Sequence, residues 1–358
     1  MRAIFSTALT LCLLLSHISL KAAPPAYPMV IPGHALEFPR DFGAHPDYRT
    51  EWWYATGWLK TADGKPLGFQ VTFFRSRVNI DANNPSTFAP KQLVFAHAAL
   101  SDPARRRLLH DQRIARAAFD LAGTKENDTD AWIDDWHFQR TNEKYSAQIR
   151  SNEFALQLSF TPTQPLLLQG DQGFSQKGPK LEQASYYYSE PHLQVNGTVT
   201  RNGKQEPVTG TAWLDHEWST AYLAEGAAGW DWTGINFDDG GALMAFQIRG
   251  KDGSIVWAAG TRRDRYGKLE RYLPSAVRFE PLRYWVSPHT NTRYPVAMRV
   301  HAGAMTLDLE PLMDDQELDS QASTGAVYWE GAVTAAQDGA FVGRGYLELT
   351  GYFKALKF

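Results

Sequence analysis

The sequence has 358 residues, of which 43% are hydrophobic, 13% aromatic and 21% charged, and its formal net charge is −3. This composition excludes an intrinsically disordered chain, and the near-neutral charge excludes the basic surface that a nucleic-acid partner would need. At roughly 100–200 residues per domain the length predicts two domains, and the 28 glycines and 20 prolines favour a turn-rich β protein.

The first 22 residues have the features of a secretory signal peptide. Arg2 precedes a mostly apolar stretch, residues 8–20, and the small residues Ala22 and Ala23 follow it. The stretch is too short for a membrane span. We therefore expect cleavage after Ala22, a periplasmic or secreted protein, and no transmembrane segment in the mature chain. The alternatives are an uncleaved membrane anchor and a lipid anchor at Cys12.

Several classes of enzyme are disfavoured by what the sequence does not contain. Cys12 is the only cysteine, so the mature chain would have no disulfide, thiolate metal site or cysteine nucleophile. The sequence has no G-x-S-x-G, P-loop, G-x-G-x-x-G or H-E-x-x-H motif. Its ten histidines are scattered. We therefore predict no metal site and no cofactor.

The mature chain consists largely of period-two aromatic and β-branched runs, which are typical of strands. Short turn signals separate these runs at residues 63–64, 151–152, 202–203, 238–241, 252–253 and 338–339. Asn-Gly and Asp-Gly supply the positive φ that tight hairpins need. So many closely spaced strands predict an all-β fold of barrels or sandwiches with little helix.

Two segments depart from this pattern. Residues 103–122 combine five arginines with apolar residues and are interpreted as a surface helix or lid with a solvated charged face. Residues 161–191 carry a Leu-Leu-Leu and a Tyr-Tyr-Tyr run, which makes them too apolar for an idle loop. We expect this long connection to pack over another part of the protein or to line a site.

The two halves of the chain resemble each other at an offset of 177 residues. Residues 53–57 align with 230–234, and at the same offset Phe69 and Gln70 meet Phe246 and Gln247. This predicts a duplicated β-unit, although chance matching in an aromatic-rich chain is the alternative. We predict domains at residues 23–218 and 219–358.

The strongest candidate for chemistry is the run of residues 213–219. Strand alternation places Asp215 and Glu217 on one face and His216 and Trp218 on the other. Inside a barrel, burial would raise the pKa of a carboxylic acid, and a histidine could share its proton. A surface strand end with its charges in water is equally compatible with the sequence.

Further candidates lie on other predicted strands. Asp231 is flanked by Trp230 and Trp232, which share the opposite face, and it is either a desolvated acid or an exposed edge residue. The first half carries a similar motif that contributes Glu51, Trp53 and Tyr54 as binding candidates.

One candidate histidine stands apart from these clusters. His97 lies in an otherwise apolar strand and is interpreted chiefly as a satisfied core residue.

Six motifs, taken together and in order, resemble the carotenoid 1,2-hydratase superfamily and, more closely, its AttH-like secreted branch. They are residues 51–54, 69–75, 97–102, 184–189, 213–219 and 229–232. The resemblance implies two lipocalin-like β-barrels packed side by side, with an apolar ligand site near their junction. It also implies that His216, Trp218 and a downstream aspartate, matched by Asp231, are tied to hydratase activity.

This resemblance leads to a functional hypothesis. The protein would bind an isoprenoid, polyene or lipid-like molecule and hydrate a C=C bond without a cofactor. The predicted catalytic residues are Asp231 as proton donor, His216 as base, Glu217 and Asp215. The predicted ligand-binding residues are Glu51, Trp53, Tyr54, His97, Tyr187, Trp218, Trp230 and Trp232.

Two other classes of function remain open at this point. A non-catalytic carrier would deliver a hydrophobic metabolite, and the resemblance implies an ABC-type export system as its partner. A structural envelope protein would have exposed polar clusters and no sizeable cavity.

Overall fold

The structure, a computed structural model, describes residues 27–79, 86, 88–221 and 223–356. The predicted signal peptide, residues 1–22, lies outside the described residues. In the described part of the chain, no helix is long and apolar enough to cross a membrane. The helices found there are single 3-10 turns at Arg40–Phe42 and Pro274–Ala276.

Almost all regular structure is β-strand. The first half forms β1 (Thr50–Thr61), β2 (Pro66–Arg77), β3 (Gln92–Asp102), β4 (Arg107–Arg116), β5 (Ala122–Thr124), β6 (Asp130–Ile133), β7 (Trp136–Thr141), β8 (Lys144–Arg150), β9 (Phe154–Thr161), β10 (Leu167–Leu168), β11 (Phe174–Gln176), β12 (Ala184–Arg201) and β13 (Lys204–Ala221). The second half forms β14 (Ala227–Phe237), β15 (Ala242–Gly250), β16 (Ile255–Arg263), β17 (Leu269–Tyr272), β18 (Val277–Val286), β19 (Arg293–Ala302), β20 (Met305–Pro311), β21 (Glu317–Ser320), β22 (Ala326–Gln337) and β23 (Ala340–Leu349).

These strands form two antiparallel sheets, each curled around its own core. The first sheet has the order β4-β3-β2-β1-β13-β12-β9-β8-β7-β6-β5, and the second has β17-β16-β15-β14-β23-β22-β20-β19-β18. The opening strand of each sheet therefore pairs with its closing strand. The prediction of an all-β fold with two lipocalin-like barrels and little helix is confirmed.

The chain passes from the first sheet to the second between Ala221 and Ala227. β13 pairs with β1 as far as Ser219 and with β12 as far as Ala221. The last strand of the first barrel therefore continues three residues past residue 218, the predicted end of the first domain.

Strand alternation separates the apolar residues of β1 and β14 between the barrel interiors and the space between the barrels. Trp53, Ala55 and Leu59 of β1 lie in the core of the first barrel, and Ile235 of β14 lies in the core of the second. The opposite faces of these strands meet in a third cluster, which we call the interbarrel layer. It contains Tyr54, Leu167, Tyr187, Trp213, Trp232, Ala242, Met244, Phe246, Ile248, Ala332 and Tyr346.

The predicted hairpins are present at their predicted turns. Gly64 has φ of +83° between β1 and β2, and Gly203 has φ of +70° between β12 and β13. Glycine is favoured there because it has no Cβ to clash at positive φ. The local turn chemistry was sufficient to place these reversals of the chain.

The predicted helix at residues 103–122 is wrong. Its central part is β4, which pairs with β3 from Asp102 opposite Arg107 to Leu93 opposite Arg116. Arg113 binds Asp135 at 2.6 Å, so an arginine assigned to a solvated helix face instead joins β4 to the turn before β7. Pairing with β3 satisfies the backbone of this segment, which overrides its helical spacing of apolar residues.

The connection predicted at residues 161–191 is shorter than expected, because β12 begins at Ala184 and includes the three tyrosines. The remaining segment does pack over other structure, as expected. Its strands β10 and β11 pair with β12, the amide of Gly170 donates to Thr261 Oγ1 at 3.2 Å, and Arg263 donates to the carbonyl of Pro165 at 2.6 Å. The segment therefore bridges the two barrels.

The 177-residue echo does not align equivalent positions. β1 ends at Thr61 and β14 at Phe237, while β2 starts at Pro66 and β15 at Ala242, so both separations are 176 residues. A shift of one residue exchanges the two faces of a strand. Phe69 accordingly lies in the first core, whereas Phe246, its match at 177, lies in the interbarrel layer.

Candidate functional site

Strand alternation divides the predicted catalytic residues among three places. His216 and Trp218 of β13 lie at the end of the first barrel's interior, while Asp215 and Glu217 face the interbarrel layer. Asp231 of β14 points into the second barrel. The predicted faces are thus correct, but Asp231 and His216 do not act on a common space.

Inside the first barrel, Glu51 is the centre of a charged network. Its Oε1 accepts from His45 Nδ1 at 2.7 Å and lies 2.9 Å from His216 Nε2. Its Oε2 accepts from Arg75 Nε at 2.8 Å. Burial pushes the pKa of Glu51 up, but the charges of His45 and Arg75 and the bonds from the imidazoles hold it well below its usual value. Glu51 is therefore an ionised, paired carboxylate.

Aromatic rings fix both imidazoles in place. His45 stacks on Trp218 with ring centres 3.7 Å apart, and Trp53 stacks on His216 at 4.6 Å. Burial lowers the pKa of His216, and this outweighs the opposing effect of Glu51. The predicted binding residues Glu51, Trp53 and Trp218 are 1% exposed or less, so they pack within this network and do not line the interbarrel layer.

This network contains the ligand types that a metal ion needs. The donor atoms of His45, Glu51 and His216 lie within 4.8 Å of one another. The prediction that no metal site exists rested on spacing along the chain, and spacing cannot detect residues from three separate segments. His45 was not among the candidates.

Asp231 has its own network inside the second barrel. Its carboxylate accepts from Gln247 at 2.7 Å, Arg249 at 3.1 Å and Tyr352 at 2.9 Å. Burial raises the pKa of Asp231 above its usual value, although the charge of Arg249 opposes this. The Asp231 carboxylate accepts three hydrogen bonds and points into the second barrel. It therefore holds Arg249 in place and does not face a ligand between the barrels.

Asp215 is a different kind of carboxyl group. It accepts from Tyr187 at 2.7 Å, Ser189 at 2.5 Å and Trp213 at 2.6 Å, all neutral donors. Burial raises its pKa to about 7. Asp215 therefore exchanges a proton near neutral pH, as the sequence hypothesis required of a buried acid.

The neighbouring Glu217 has a cation beside it. Lys177 Nζ lies 3.0 Å from Glu217 Oε1, which also accepts from Ser185. The same ammonium lies 4.2 Å from the ring centre of Phe246 and 4.6 Å from that of Tyr187. A buried ammonium is favoured between aromatic faces and beside a carboxylate, so Glu217 is the acid of this layer that has a cation as its partner.

Two further acids in the layer were missed by the sequence reasoning. Burial raises the pKa of Glu330 well above its usual value, and the charge of Glu348 adds to this. Burial raises the pKa of Glu348 to about 8, and the charges of Asp215 and Glu217 add to this. Neither carboxyl oxygen of Glu330 has a hydrogen-bond partner among the described residues, although the hydroxyls of Tyr54 and Tyr328 lie beside it. Both glutamates are protonated at neutral pH.

A weak sequence signal for these acids exists. Glu330 and Glu348 are single carboxylates on otherwise apolar strands, in Tyr-Trp-Glu-Gly-Ala and Tyr-Leu-Glu-Leu. The strand β1, which packs against β22 and β23, comes from the other half of the chain. Only the packing of one barrel on the other reveals that Tyr54 lies beside Glu330 and that Asp215 lies near Glu348.

Aromatic groups surround these acids. The Trp232 indole donates to Tyr187 Oη at 3.1 Å, and the rings of Tyr54 and Trp232 meet edge to face at 5.3 Å. The indole of Trp230 lies beside Glu348. Glu348 and Trp230 are half-buried, so this part of the interbarrel layer keeps some solvent-accessible surface.

His97 also lies where the barrels meet, but it is satisfied. Its Nδ1 is 2.8 Å from Tyr328 Oη and its Nε2 is 2.9 Å from Ser323 Oγ. Burial lowers its pKa to about 3, so the ring is neutral. His97 therefore joins the barrels rather than holding a charge, as its core interpretation implied.

A cleft of about 670 Å³ opens between the barrels near the β1–β2 turn. Its wall includes Thr56, Trp58, Trp213, Arg344 and Tyr346. Residues two positions apart share a strand face, so the lining residues are followed on the same face by residues of the interbarrel layer. Trp213 is followed by Asp215, Tyr346 by Glu348, and Thr56 is preceded by Tyr54. Two residues of strand span roughly 7 Å, so Asp215 and Glu348 lie about that far along their strands from the cleft wall.

The arrangement can bind an apolar molecule and transfer protons to it. Uncharged carboxyl groups donate protons at neutral pH, and aromatic faces stabilise a cation by ~2 kcal/mol or more when desolvated.

Comparison with known proteins gives the following. The AttH-like family model matches residues 29–352. The crystal structure of an AttH candidate from Nitrosomonas europaea is 58% identical, with a TM-score of 0.85 over 91% of this chain and 99% of that one. No curated protein sequence matches significantly.

Two more distant structures share the fold. Kievitone hydratase from Nectria haematococca is 12% identical, with a TM-score of 0.68 over 91% of this chain and 97% of that one. CghA, solved with Sch210972, is 12% identical, with a TM-score of 0.52 over 84% of this chain and 89% of that one. At this identity the similarity concerns the fold alone.

Proposed function

This chain belongs to the AttH-like family, and from that premise we propose that it binds an isoprenoid, polyene or lipid-like molecule between its two barrels and adds water to a C=C bond. The reaction would use acid–base groups of the protein and no cofactor.

The observation that carries this proposal is the pair Glu330 and Glu348. Burial raises the pKa of both carboxyl groups, and Tyr54, Trp230 and Trp232 supply aromatic faces around them. Ordinary surface carboxylates are ionised at neutral pH and cannot protonate an alkene. These two retain the proton because burial disfavours the charged form.

The proposed reaction begins with proton transfer from Glu348 to one alkene carbon, which leaves a tertiary cation on the other carbon. The aromatic faces stabilise this cation. A water molecule then adds through its oxygen, and its surplus proton returns to the Glu348 carboxylate. The net change is addition of one water, and the acid is regenerated.

The cleft provides a route for the ligand. A long apolar molecule would enter beside Trp58 and Arg344 and pass the rings of Trp213 and Tyr346. The reacting double bond would then lie next to the acids, and any polar end would remain in the cleft. Kievitone hydratase and CghA support the proposal only in that this fold occurs in a protein named a hydratase and in one solved with a small molecule.

The proposal changes the roles that the sequence hypothesis assigned. Asp231 as donor and His216 as base stay untested predictions, and we favour Glu348 and Glu330 because the others face the barrel interiors. Asp215, with its pKa of about 7, fits the role of a proton relay beside Glu348.

The test is incubation of the full chain with a panel of polyenes and isoprenoids in H₂¹⁸O, followed by mass spectrometry. We expect a product that carries one ¹⁸O-labelled water. Glu348→Gln and Glu330→Gln should each remove turnover and retain ligand binding, because the amide copies the shape of the protonated acid. Glu182→Gln, at an exposed position, is the matched control and should behave as wild type.

The same experiment decides whether the protein is instead a carrier. A carrier would return its ligand unchanged, and the glutamine variants would alter affinity and not turnover. A carrier working with an ABC-type export system, and a periplasmic location after removal of residues 1–22, remain proposals that ligand extraction from cell fractions would test.

A further inference from the structure

We propose that His45, Glu51 and His216 form a binding site for a divalent transition-metal ion of the zinc class at the end of the first barrel. This site is separate from the interbarrel acids, because His216 and Asp215 lie on opposite faces of β13.

The donor atoms already converge. Glu51 Oε1 lies 2.7 Å from His45 Nδ1 and 2.9 Å from His216 Nε2, and all three atoms are within 4.8 Å of one another. Zinc takes imidazole nitrogen and carboxylate oxygen at about 2.0–2.2 Å. Side-chain shifts of about an ångström would place all three atoms around one ion. Two imidazoles and one carboxylate are a common protein ligand set for such ions.

The two imidazoles are also oriented as metal ligands usually are. A ligating histidine bonds through its second ring nitrogen to a carboxylate, carbonyl or similar group, which fixes its tautomer. Here His45 Nε2 lies 3.3 Å from Asp41 Oδ1, and His216 Nδ1 lies 3.1 Å from Tyr188 Oη. Stacking on Trp218 and Trp53 holds both ring planes.

Each carboxylate of the site has a guanidinium beside it. The buried Asp41 pairs with Arg40 at 2.8 Å, and the buried Glu51 pairs with the buried Arg75 at 2.8 Å. Arg75 binds only Oε2 of Glu51 through its Nε, at 2.8 Å, and its remaining bonds go to Gln92 and to the carbonyls of residues 45, 46 and 48. The guanidinium therefore fixes the rotation of the carboxylate and leaves Oε1 directed at the two imidazoles.

A bound ion would join three separate segments. His45 belongs to the chain before β1, Glu51 to β1 and His216 to β13. The ion would thus fasten the N-terminal segment to the first barrel, and water would complete its coordination. The proposed role is structural, so its readout is metal content and thermal stability and not turnover.

The test uses the purified full chain, freed of metal with a chelator and dialysed against Zn²⁺ or Co²⁺. We expect about one equivalent of metal by elemental analysis, a Co²⁺ absorption spectrum typical of four-coordinate nitrogen–oxygen ligation, and a higher melting temperature. His45→Gln and His216→Gln should each abolish stoichiometric binding. Tyr188→Phe should retain one equivalent but weaken binding about tenfold.

His289→Gln is the matched control, because His289 is exposed and contacts Asp315 alone among the charged groups of the described residues. It should bind metal as wild type does. Melting curves in chelator show whether each variant is folded without metal. The proposal is overturned if wild type binds well below one equivalent, or if both histidine variants bind as tightly as wild type. Neither result would bear on the hydration assay.

Discussion

Glu51 and Glu330 are equally enclosed, yet their pKa values move in opposite directions. Glu51 is 0% exposed and Glu330 is 2% exposed, and burial favours the neutral form of both. Glu51 has Arg75 and His45 at bonding distance and stays ionised, whereas Glu330 faces Glu348 and tyrosine hydroxyls and stays protonated. For these two residues the neighbouring cations, and not the depth of burial, decide the direction of the pKa shift.

The barrel interiors follow one scheme and the interbarrel layer another. Each barrel places an acid on its opening strand and an arginine on the next strand: Glu51 with Arg75, and Asp231 with Arg249. In the layer between them, Lys177 pairs with Glu217, and the other acids have no cation at ion-pair distance in the described residues. The interiors therefore hold carboxylates paired with arginine, whereas the layer, apart from Glu217, holds carboxyl groups without a cation in the described part of the chain.

The largest effect on stability is expected from removal of the Arg75 guanidinium. Arg75→Met would leave Glu51 buried without its main cation, and breaking a buried ion pair costs ~3–5 kcal/mol. The loss should be seen in the free energy of unfolding by urea. A loss below ~1 kcal/mol, which is the range for exposed ion pairs, would show that Arg75 is not the cation that keeps Glu51 ionised.

Removing an acid from the interbarrel layer should change how the free energy of unfolding depends on pH. Glu348 has a folded pKa of about 8 against an ordinary 4.5. Between these values the folded chain keeps a proton that the unfolded chain releases, so stability falls as pH rises, by up to ~1.4 kcal/mol per pH unit.

Glu348→Gln should remove that contribution, giving a flatter profile from pH 5 to 8 in urea unfolding. Residual slope from Glu330 is expected in the same direction. Parallel profiles for variant and wild type would contradict the raised pKa.

His97, which also lies where the barrels meet, should contribute a pH dependence of stability with the opposite sign. Burial lowers its pKa from 6.5 to about 3, so its contribution is present above pH 6.5 and is lost as pH falls toward 3, when the unfolded chain takes up a proton first. His97→Gln should cost about 1 kcal/mol at neutral pH through its two hydrogen bonds. It should also make stability less sensitive to acid between pH 6.5 and 4, and an unchanged acid limb would contradict the assignment.

The smallest effect is expected at an exposed pair. Arg299 binds Asp308 at 2.7 Å, but their side chains are 40% and 42% exposed. Water screens such pairs, so Arg299→Met should leave the urea midpoint unchanged within error. A clear loss there would remove the contrast between buried and exposed pairs on which the first prediction depends.

Sequence alone determined the β class, the hairpin turns and the separation of faces. Turn glycines and period-two patterns act over a few residues, so Asp215 with Glu217, and His216 with Trp218, could be assigned to opposite faces of one strand. The same local reasoning failed at residues 103–122, because a helical spacing and a paired edge strand are both compatible with those residues until β3 is alongside.

Only the tertiary structure decided which face points into a barrel and what lies opposite. Glu348 approaches Asp215 across more than 100 residues of chain, and His45 and His216 reach Glu51 from separate segments. Alternation fixes which residues share a face, but the environment of that face is set by pairing and packing with distant strands. An alignment shifted by one residue pairs opposite faces of two strands. For this reason the echo at 177 residues matches residue types and not structurally equivalent positions.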